Sequence, residues 1–263
     1  MSGDTVPVKS IRLTFKIIET LAANRSMHLA ELSDRLDIPK STAHDHLRTL
    51  EQLGYVTQDE FGFRTSTRFT EVGERSRRQF TIYDMGKQQV QALAERAGAF
   101  TTLLVEEAGI GVILYTAQGT DIVDIEPYPG TRLLLHTTAP GKAILAKLPD
   151  ERVEEIVETH GFIRDRPRYG IPESMPNTIT TPEALAEELD RIRRRGYATA
   201  DEELIGGISG VGAAIEGGSD VLGAVGIHVP SSEFDEARVE SDLVPMLRQT
   251  VNVFQLKQSY SQR

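Results

Sequence analysis

The 263-residue sequence contains no cysteine, so disulfide bonds, thiolate metal sites and a thiol nucleophile are excluded. Its six histidines show none of the paired spacings that zinc sites use on a helix, and we predict no metal and no cofactor. A long apolar run and a charged-then-apolar N-terminus are also lacking, which predicts neither a membrane span nor a secretion signal. We therefore expect a cytoplasmic protein, and its 39% hydrophobic content is enough for the cores of two domains.

The segment from His28 to Val56 is the most informative part of the chain, because it predicts two short helices, a turn at Asp37-Ile38-Pro39 and a strand. Apolar residues recur three and four positions apart along both helices and would pack inward. These residues are Leu29, Leu32 and Leu36 in the first helix and Ala43, Leu47, Leu50 and Leu53 in the second. Ser41 or Thr42 can cap the second helix. This layout is typical of a winged helix-turn-helix.

The outer face of the second helix is polar and predicts contacts with base edges or phosphates in a major groove. The predicted DNA-binding residues on this helix are Lys40, Ser41, Thr42, His44, Asp45 and Arg48. Asp45 can accept a hydrogen bond from a cytosine amino group or pair with Arg48 one turn on, and we favour the pairing. An ordinary helical hairpin with a solvated outer face is the alternative interpretation.

The context on both sides favours the DNA-binding interpretation. Tyr55-Val56-Thr57 and Phe63-Arg64-Thr65 flank a polar turn, which predicts a wing hairpin. Arg64 and Arg68 lie beside this wing and are predicted to contact the DNA backbone. Upstream, the helix from Ser10 to Ala22 completes the core with one apolar stripe. The stripe consists of Ile11, Phe15, Ile18 and Leu21. The DNA-binding domain is therefore predicted to span residues 1–68.

The chain is acidic overall, with a net charge of −10. Residues 1–80 hold 12 basic and 11 acidic side chains, a balance of +1, which leaves −11 for the remainder. This asymmetry fits a DNA-binding N-terminal domain joined to an acidic second domain, because DNA affinity depends on local phosphate neutralisation. The composition, with 22 arginines and 7 lysines, also suits an organism that accumulates salt, such as a halophilic archaeon.

The N-terminal segment resembles the DNA-binding domain of the IclR family of transcriptional regulators. The resemblance rests on Val8-Lys9-Ser10, on Pro39-Lys40-Ser41-Thr42, and on the run from Leu50 to Val56. Asp45 departs from the family, in which a basic residue is common at this position. We therefore do not expect this chain to share the operator of better-known relatives.

The segment from Phe69 to Ala97 predicts one long linker helix between the two domains. Helices of this kind often pair across a two-fold axis, which sets the spacing of two recognition helices on a palindromic operator. We therefore expect a homodimer or a homotetramer.

Residues 98–263 predict an α+β domain with one antiparallel sheet and flanking helices. The predicted strands are Phe100–Glu106, Gly111–Gln118, Asp121–Glu126, Tyr197–Glu203, Val211–Ile215 and Val221–Val229. The predicted helices are Gly141–Lys147, Glu151–His160, Pro182–Arg195 and a closing helix through Phe254. This domain resembles the effector-binding domain of the IclR family, which is similar to GAF domains.

Two motifs carry the second resemblance: the segment from His136 to Ala143, which enters a helix, and the acidic strand that begins at Asp201. In the family the first forms one wall of a ligand pocket, where a helix N-terminus can hold a small carboxylate. Pro140 departs from this pattern because it removes one donor amide. The resemblance implies an effector site made of Ala139, Pro140, Gly141, Asp201, Gly210, Gly226 and His228. His228 is either a satisfied core residue or a ligand contact.

An enzyme is the competing class. Gly141-Lys142 lacks the upstream glycine and the following Ser or Thr of a phosphate-binding loop, and Gly207 to Val211 is one glycine short of a nucleophile elbow. The consecutive carboxylates from Asp201 to Glu203 alternate faces along a strand and cannot converge on one site. A ligand-independent DNA-coating protein would gain nothing from the large acidic second domain. We therefore predict a non-enzymatic regulator, repressor or activator, of a catabolic operon, gated by a small effector such as an organic acid or a sugar-derived metabolite.

Overall fold

The computed structural model describes residues 7–120, 127–162, 175–218 and 220–261, with side chains through residue 257. The chain divides into two compact units, Met1–Ser76 and Arg77–Arg263. Within the described residues, no helix combines the length and the apolar content that a membrane span requires.

The first unit is a three-helix domain with a hairpin. Its elements are α1 (Lys9–Ala22), α2 (Leu29–Leu36), α3 (Lys40–Gln52), β1 (Val56–Asp59) and β2 (Gly62–Thr65), and helix α4 (Arg68–Arg77) follows. Strands β1 and β2 pair in antiparallel register from Val56↔Thr65 to Asp59↔Gly62, as predicted for a wing. The core is a single cluster of buried side chains. Its members are Ile17, Leu21, Met27, Leu32, Leu47, Leu50, Val56 and Phe63.

The predicted core stripe of α1 is wrong in its first half. Ile11 and Phe15 are 52% and 56% exposed, whereas Ile17 and Leu21 are fully buried. Both sets of residues recur at helical spacing, so periodicity alone could not decide which stripe faces inward. Leu53, predicted to pack inward, follows the end of α3 and is also exposed.

The predicted cap of α3 is wrong as well. The helix begins at Lys40, so that Pro39 occupies the N-cap position and no side chain caps the helix. Ser41 and Thr42 therefore lie within the first helical turn, where they do not occupy the capping position.

The predicted linker helix is interrupted. Helix α4 ends at Arg77 and buries no residue, the backbone is extended at Phe80, and α5 (Thr81–Ala97) then begins. Phe80 packs against the core of the second unit, and α5 buries Ile82, Val90 and Leu93 there. Helix α5 therefore begins as a separate helix, and its apolar face packs in the core of the second unit.

The second unit is a six-stranded antiparallel sheet with helices on both faces, in the strand order β5-β4-β3-β8-β7-β6. The strands are β3 (Phe100–Glu107), β4 (Ile110–Ala117), β5 (Arg132–Leu134), β6 (Ala198–Asp201), β7 (Ile208–Gly217) and β8 (Asp220–Pro230). The further helices are α6 (Ala139–Leu145), α7 (Asp150–His160), α8 (Pro182–Arg195), the short α9 (Glu236–Arg238) and α10 (Val244–Ser261).

Alternation along the strands divides the core into two layers. Leu103 and Val105 of β3 face α5 and α10, whereas Leu104 faces α6 and α8. The predicted fold class is confirmed. The short strand β5 was not predicted, and the predicted strand Asp121–Glu126 lies outside the described residues.

Candidate functional site

The outer face of α3 carries the predicted DNA-reading residues. Lys40, Ser41, His44, Asp45 and Arg48 are exposed and Thr42 is half-buried. The inner face of the same helix is anchored by buried Ala43, Leu47 and Leu50. The half-buried His46 adds a polar anchor, since its Nδ1 lies 2.9 Å from the Thr14 hydroxyl of α1. The polar residues of α3 are therefore presented outward by a fixed helix.

The favoured pairing of Asp45 with Arg48 is wrong. The Asp45 carboxylate lies 3.6 Å from Nδ1 of the His44 imidazole, and no ion pair joins Asp45 to Arg48 within the described residues. Such a pair would gain only about 0.2–0.5 kcal/mol on an exposed helix face, too little to hold two long side chains together. The 82% exposed Asp45 carboxylate thus remains able to accept a hydrogen bond from a base.

The two arginines beside the wing have different surroundings. Arg64 is exposed and its Nε lies 3.2 Å from Asp59 across the hairpin. Arg68 donates from its guanidinium to the Leu53 carbonyl at 2.9 Å, and the same group stacks over the Tyr55 ring at 5.0 Å. Arg68 therefore stabilises the exit of α3, whereas Arg64 extends along the outer surface of the wing.

The second unit contains a narrow pocket between the sheet and the start of α6. The pocket and its mouth contain about 540 Å³ of space free of atoms, part of which is open to solvent. Most lining groups are apolar. They include Phe100, Leu104, Ile113, Leu133, Ala139, Pro140, Leu204, Ile205 and Ile208. The polar groups of the lining are Thr102, Thr137, Thr138, Glu203, Ser209 and His228.

Glycines of β7 and β8 allow α6 and an imidazole to approach the sheet. A Cβ at Gly212 would lie 2.3 Å from the Pro140 nitrogen, which is closer than any real contact. A Cβ at Gly226 would lie 2.9 Å from Nε2 of His228 and 3.0 Å from the Thr102 hydroxyl. The absence of these side chains therefore leaves the volume that Pro140 and His228 occupy.

His228 lies on β8, paired with Phe100 on one side and Gly210 on the other. Its Nε2 is 2.9 Å from the Thr102 hydroxyl, and Nδ1 has no hydrogen-bond partner among the described residues. Burial lowers the pKa of His228 to about 4, so the ring is neutral at neutral pH. A neutral imidazole in this place can form one hydrogen bond to a molecule in the pocket.

A buried ion pair that the sequence analysis did not identify forms one end of the pocket. The Lys142 ammonium donates to both carboxylate oxygens of Glu203, at 2.6 and 2.7 Å, and the Lys142 side chain is 1% exposed. Burial raises the pKa of the Glu203 carboxyl, and the adjacent Lys142 opposes that rise. Because the two residues are 61 positions apart in the sequence, no local pattern could have revealed the pair.

The beginning of α6 offers few free amides. Pro140 has no N–H, and the Gly141 N–H donates to the Thr138 hydroxyl at 3.1 Å. The Lys142 N–H donates to the Thr138 carbonyl at 2.9 Å. The anion-holding helix terminus that the resemblance implied is therefore largely satisfied by its own cap.

The structure brings four of the seven predicted effector residues into the pocket wall: Ala139, Pro140, Gly210 and His228. The other three do not line it. Gly226 lies beneath His228, Gly141 lies within α6, and Asp201 accepts a hydrogen bond from the pocket residue Ser209 at 2.5 Å. Thr102, Glu203 and Ser209 are lining residues that the prediction missed.

Comparison with known proteins identifies the family. Residues 76–254 match the family described as "Bacterial transcriptional regulator IclR C-terminal", and residues 10–60 match the "IclR helix-turn-helix domain". The chain is 31% identical to the probable HTH-type transcriptional regulator ArcR of Halobacterium salinarum, over 97% of this chain and 96% of that protein. The chain therefore belongs to the IclR family of transcriptional regulators.

Solved structures share the fold. The IclR structure of Thermotoga maritima is 24% identical with a TM-score of 0.79, and the match covers 95% of this chain and 98% of that one. An IclR homologue from Microbacterium hydrocarbonoxydans complexed with 4-hydroxybenzoate is 22% identical with a TM-score of 0.77, covering 95% and 99%. At these identities the two structures show the common fold alone.

Proposed function

We propose that two copies of this chain bind a palindromic operator through α3 and the wing, and that a small effector in the pocket of the second unit changes operator affinity. Helix α3 supports the proposal of DNA binding, because its polar outer face is exposed while its inner face is buried. Lys40, Ser41, Thr42, His44, Asp45, Arg48 and Arg64 are the proposed DNA contacts. Arg68 has a second role at the exit of α3.

The pocket supports the effector part of the proposal. It is largely apolar, it is lined by a few polar groups, and it lies between packed elements of one unit, as ligand sites commonly do. By linkage, an effector that changes operator affinity must have its own affinity changed by the same factor when the operator binds. Control of a catabolic operon in the cytoplasm, by repression or activation, is the setting that we propose.

The polar groups of the pocket favour regulation over catalysis. A serine nucleophile is typically activated by an imidazole that a carboxylate orients. Ser209 donates to the Asp201 carboxylate and lies 2.8 Å from the Ser231 hydroxyl, whereas the nearest imidazole, His228, contacts Thr102 instead. The Glu203 carboxylate is occupied by Lys142. These contacts support a binding site that holds its ligand unchanged.

Self-association is supported by an apolar row on α1. Val8, Ile11 and Phe15 are 47%, 52% and 56% exposed and lie three and four residues apart along the helix. A row of this kind is unusual on an isolated small domain, which supports a second copy as its partner. A two-fold pair of α3 helices would then match a palindromic operator.

The test of DNA recognition is retention of fragmented genomic DNA from the same organism, at its own salt concentration, followed by sequencing. We expect enrichment of a few palindromic sites. Arg48→Ala should weaken binding to such a site by about 10- to 100-fold, with a smaller loss on unrelated DNA.

The control is Arg191→Ala, the same change at an exposed, ion-paired arginine of α8. It should leave both affinities unchanged. An equal loss of specific and non-specific binding in Arg48→Ala would show that Arg48 contacts phosphate and does not read bases. Retention of no DNA above background would refute the proposed function.

A further inference from the structure

We propose that the pocket takes an uncharged, largely apolar molecule with a single hydroxyl group, a phenol or an alcohol, and discriminates against carboxylates. This inference rests on the proposed function, because it names the class of effector that the same site would bind.

The charges of the pocket lining disfavour an anionic ligand. Among the described residues of the pocket lining, the only ionisable side chains are Glu203 and His228. Lys142 lies behind the lining and is held by both oxygens of Glu203. An incoming carboxylate would therefore lose its water, meet the edge of an existing carboxylate, and compete with it for one ammonium.

The start of α6 has few backbone N–H groups that could bind an anion. A helix N-terminus can hold an anion when several of its N–H groups are free. Here Pro140 has none, and the N–H groups of Gly141 and Lys142 are both bound by Thr138. Within the described residues the Ala139 N–H is the one first-turn amide without a partner, and the start of α6 presents chiefly the Pro140 ring and the Ala139 methyl group to the pocket.

The polar groups of the pocket lining leave few hydrogen-bonding positions for a ligand. Thr137 donates to the Leu134 carbonyl and Ser209 donates to Asp201. Thr138 accepts from Gly141 and keeps one neutral hydroxyl donor, which does not balance the charge of a carboxylate. Nδ1 of His228 has no partner among the described residues: it accepts when Nε2–H donates to Thr102, and it donates when the Thr102 hydroxyl donates to Nε2. A hydroxyl group matches either state, because it is both donor and acceptor. Burial holds the pKa of His228 near 4, so an anion finds no positive charge there.

The shape of the pocket favours a compact apolar molecule. Gly210 keeps Nδ1 accessible, since a Cβ there would lie 3.1 Å from this atom. The apolar walls include the aromatic ring of Phe100 and the branched side chains of Leu104, Ile113, Leu133 and Ile208. A sugar-like molecule would leave most of its hydroxyls without partners against these walls. A compact apolar body with one hydroxyl directed at His228 satisfies both parts of the site.

The experiment measures binding of three matched probes to the full-length protein by calorimetry at pH 7.5: 4-methylphenol, 4-hydroxybenzamide and 4-hydroxybenzoate. They share the phenol and differ only in the group opposite to it. We expect 4-methylphenol to bind at least tenfold more tightly than 4-hydroxybenzoate, with the amide between them. His228→Leu should weaken 4-methylphenol binding by roughly tenfold, the value of one hydrogen bond, and His228→Gln should restore part of it.

Equal or tighter binding of 4-hydroxybenzoate would overturn the inference, as would failure of all three probes to bind at millimolar concentration. Unchanged affinity for 4-methylphenol in a folded His228→Leu protein, checked by circular dichroism, would remove the role of His228 and overturn it too. Operator retention by the same preparations tests the proposed function separately. A protein that retains operator DNA and ignores neutral phenols refutes only the inference about the ligand.

Discussion

Removing Lys142 should destabilise the second unit strongly, because it leaves the Glu203 carboxylate buried without its partner. The two side chains are 1% and 10% exposed, and the ammonium is bound to both carboxylate oxygens. Breaking a buried ion pair from one side typically costs about 3–5 kcal/mol, whereas replacing both partners by apolar groups is often neutral or stabilising. We therefore expect Lys142→Met to lose about 3–5 kcal/mol at pH 8, and the double variant with Glu203→Met to recover most of that loss.

The pH dependence of this loss gives a second measure. Without Lys142, burial and the nearby Glu188 raise the pKa of Glu203 in the folded protein, and the hydrogen bond from the Asp201 backbone opposes them only in part. The folded state then binds a proton that the unfolded state has released, so stability falls as pH rises from about 4.5 towards the folded pKa. The penalty of Lys142→Met relative to wild type should therefore shrink as pH is lowered from 8 to 5.5, by up to about 1.4 kcal/mol per pH unit.

The assay is urea unfolding followed by far-ultraviolet circular dichroism, since the chain has no tryptophan. Lys147→Met is the matched control, because Lys147 forms an ion pair of similar length, 2.8 Å, with Glu216 in which both side chains are 41% exposed. An exposed pair contributes about 0–1 kcal/mol. If Lys142→Met and Lys147→Met lose the same small amount, burial does not govern the pair and the reasoning is refuted.

Three further predictions concern pH, packing and assembly. Burial lowers the pKa of both His136 and His228 to about 4, so the unfolded state binds more protons below pH 6.5. Each histidine should cost about 2 kcal/mol of stability at pH 5 relative to neutral pH, and His228→Gln should remove one such contribution in urea titrations. Gly212→Ala should destabilise by about 1–3 kcal/mol because its Cβ would meet the backbone at the start of α6 at 2.3 Å. The same change at Gly73 of α4, where nothing lies within 4 Å, should be neutral or stabilising by up to about 1 kcal/mol. Phe15→Glu should shift the protein towards monomer in analytical ultracentrifugation, and an unchanged mass would exclude the α1 row as an association surface.

Local pattern predicted those features that depend on neighbouring residues. The wing hairpin, the buried face of α3 through Leu50 and the positions of the main strands along the chain all follow from periodicity and turn residues. The rotation of α1 could not be predicted in this way, because the rows containing Phe15 and Ile17 are equally periodic and only the neighbouring helices select between them. The break at Phe80 was hidden for a similar reason, since apolar residues continue through it at helical spacing.

The chemistry of the pocket depends on combinations of residues that lie far apart in the sequence. Gly212 allows Pro140 to approach the sheet, and Gly226 leaves the volume that the ring of His228 fills. Pro140 in turn removes an amide that could have held an anion, and the pair formed by Lys142 and Glu203 removes the cation. Together these residues form a largely apolar pocket that contains one hydrogen-bonding imidazole. Four of the seven residues that the family resemblance implied line this pocket, and the polarity of the ligand that we propose follows from the contacts of this chain.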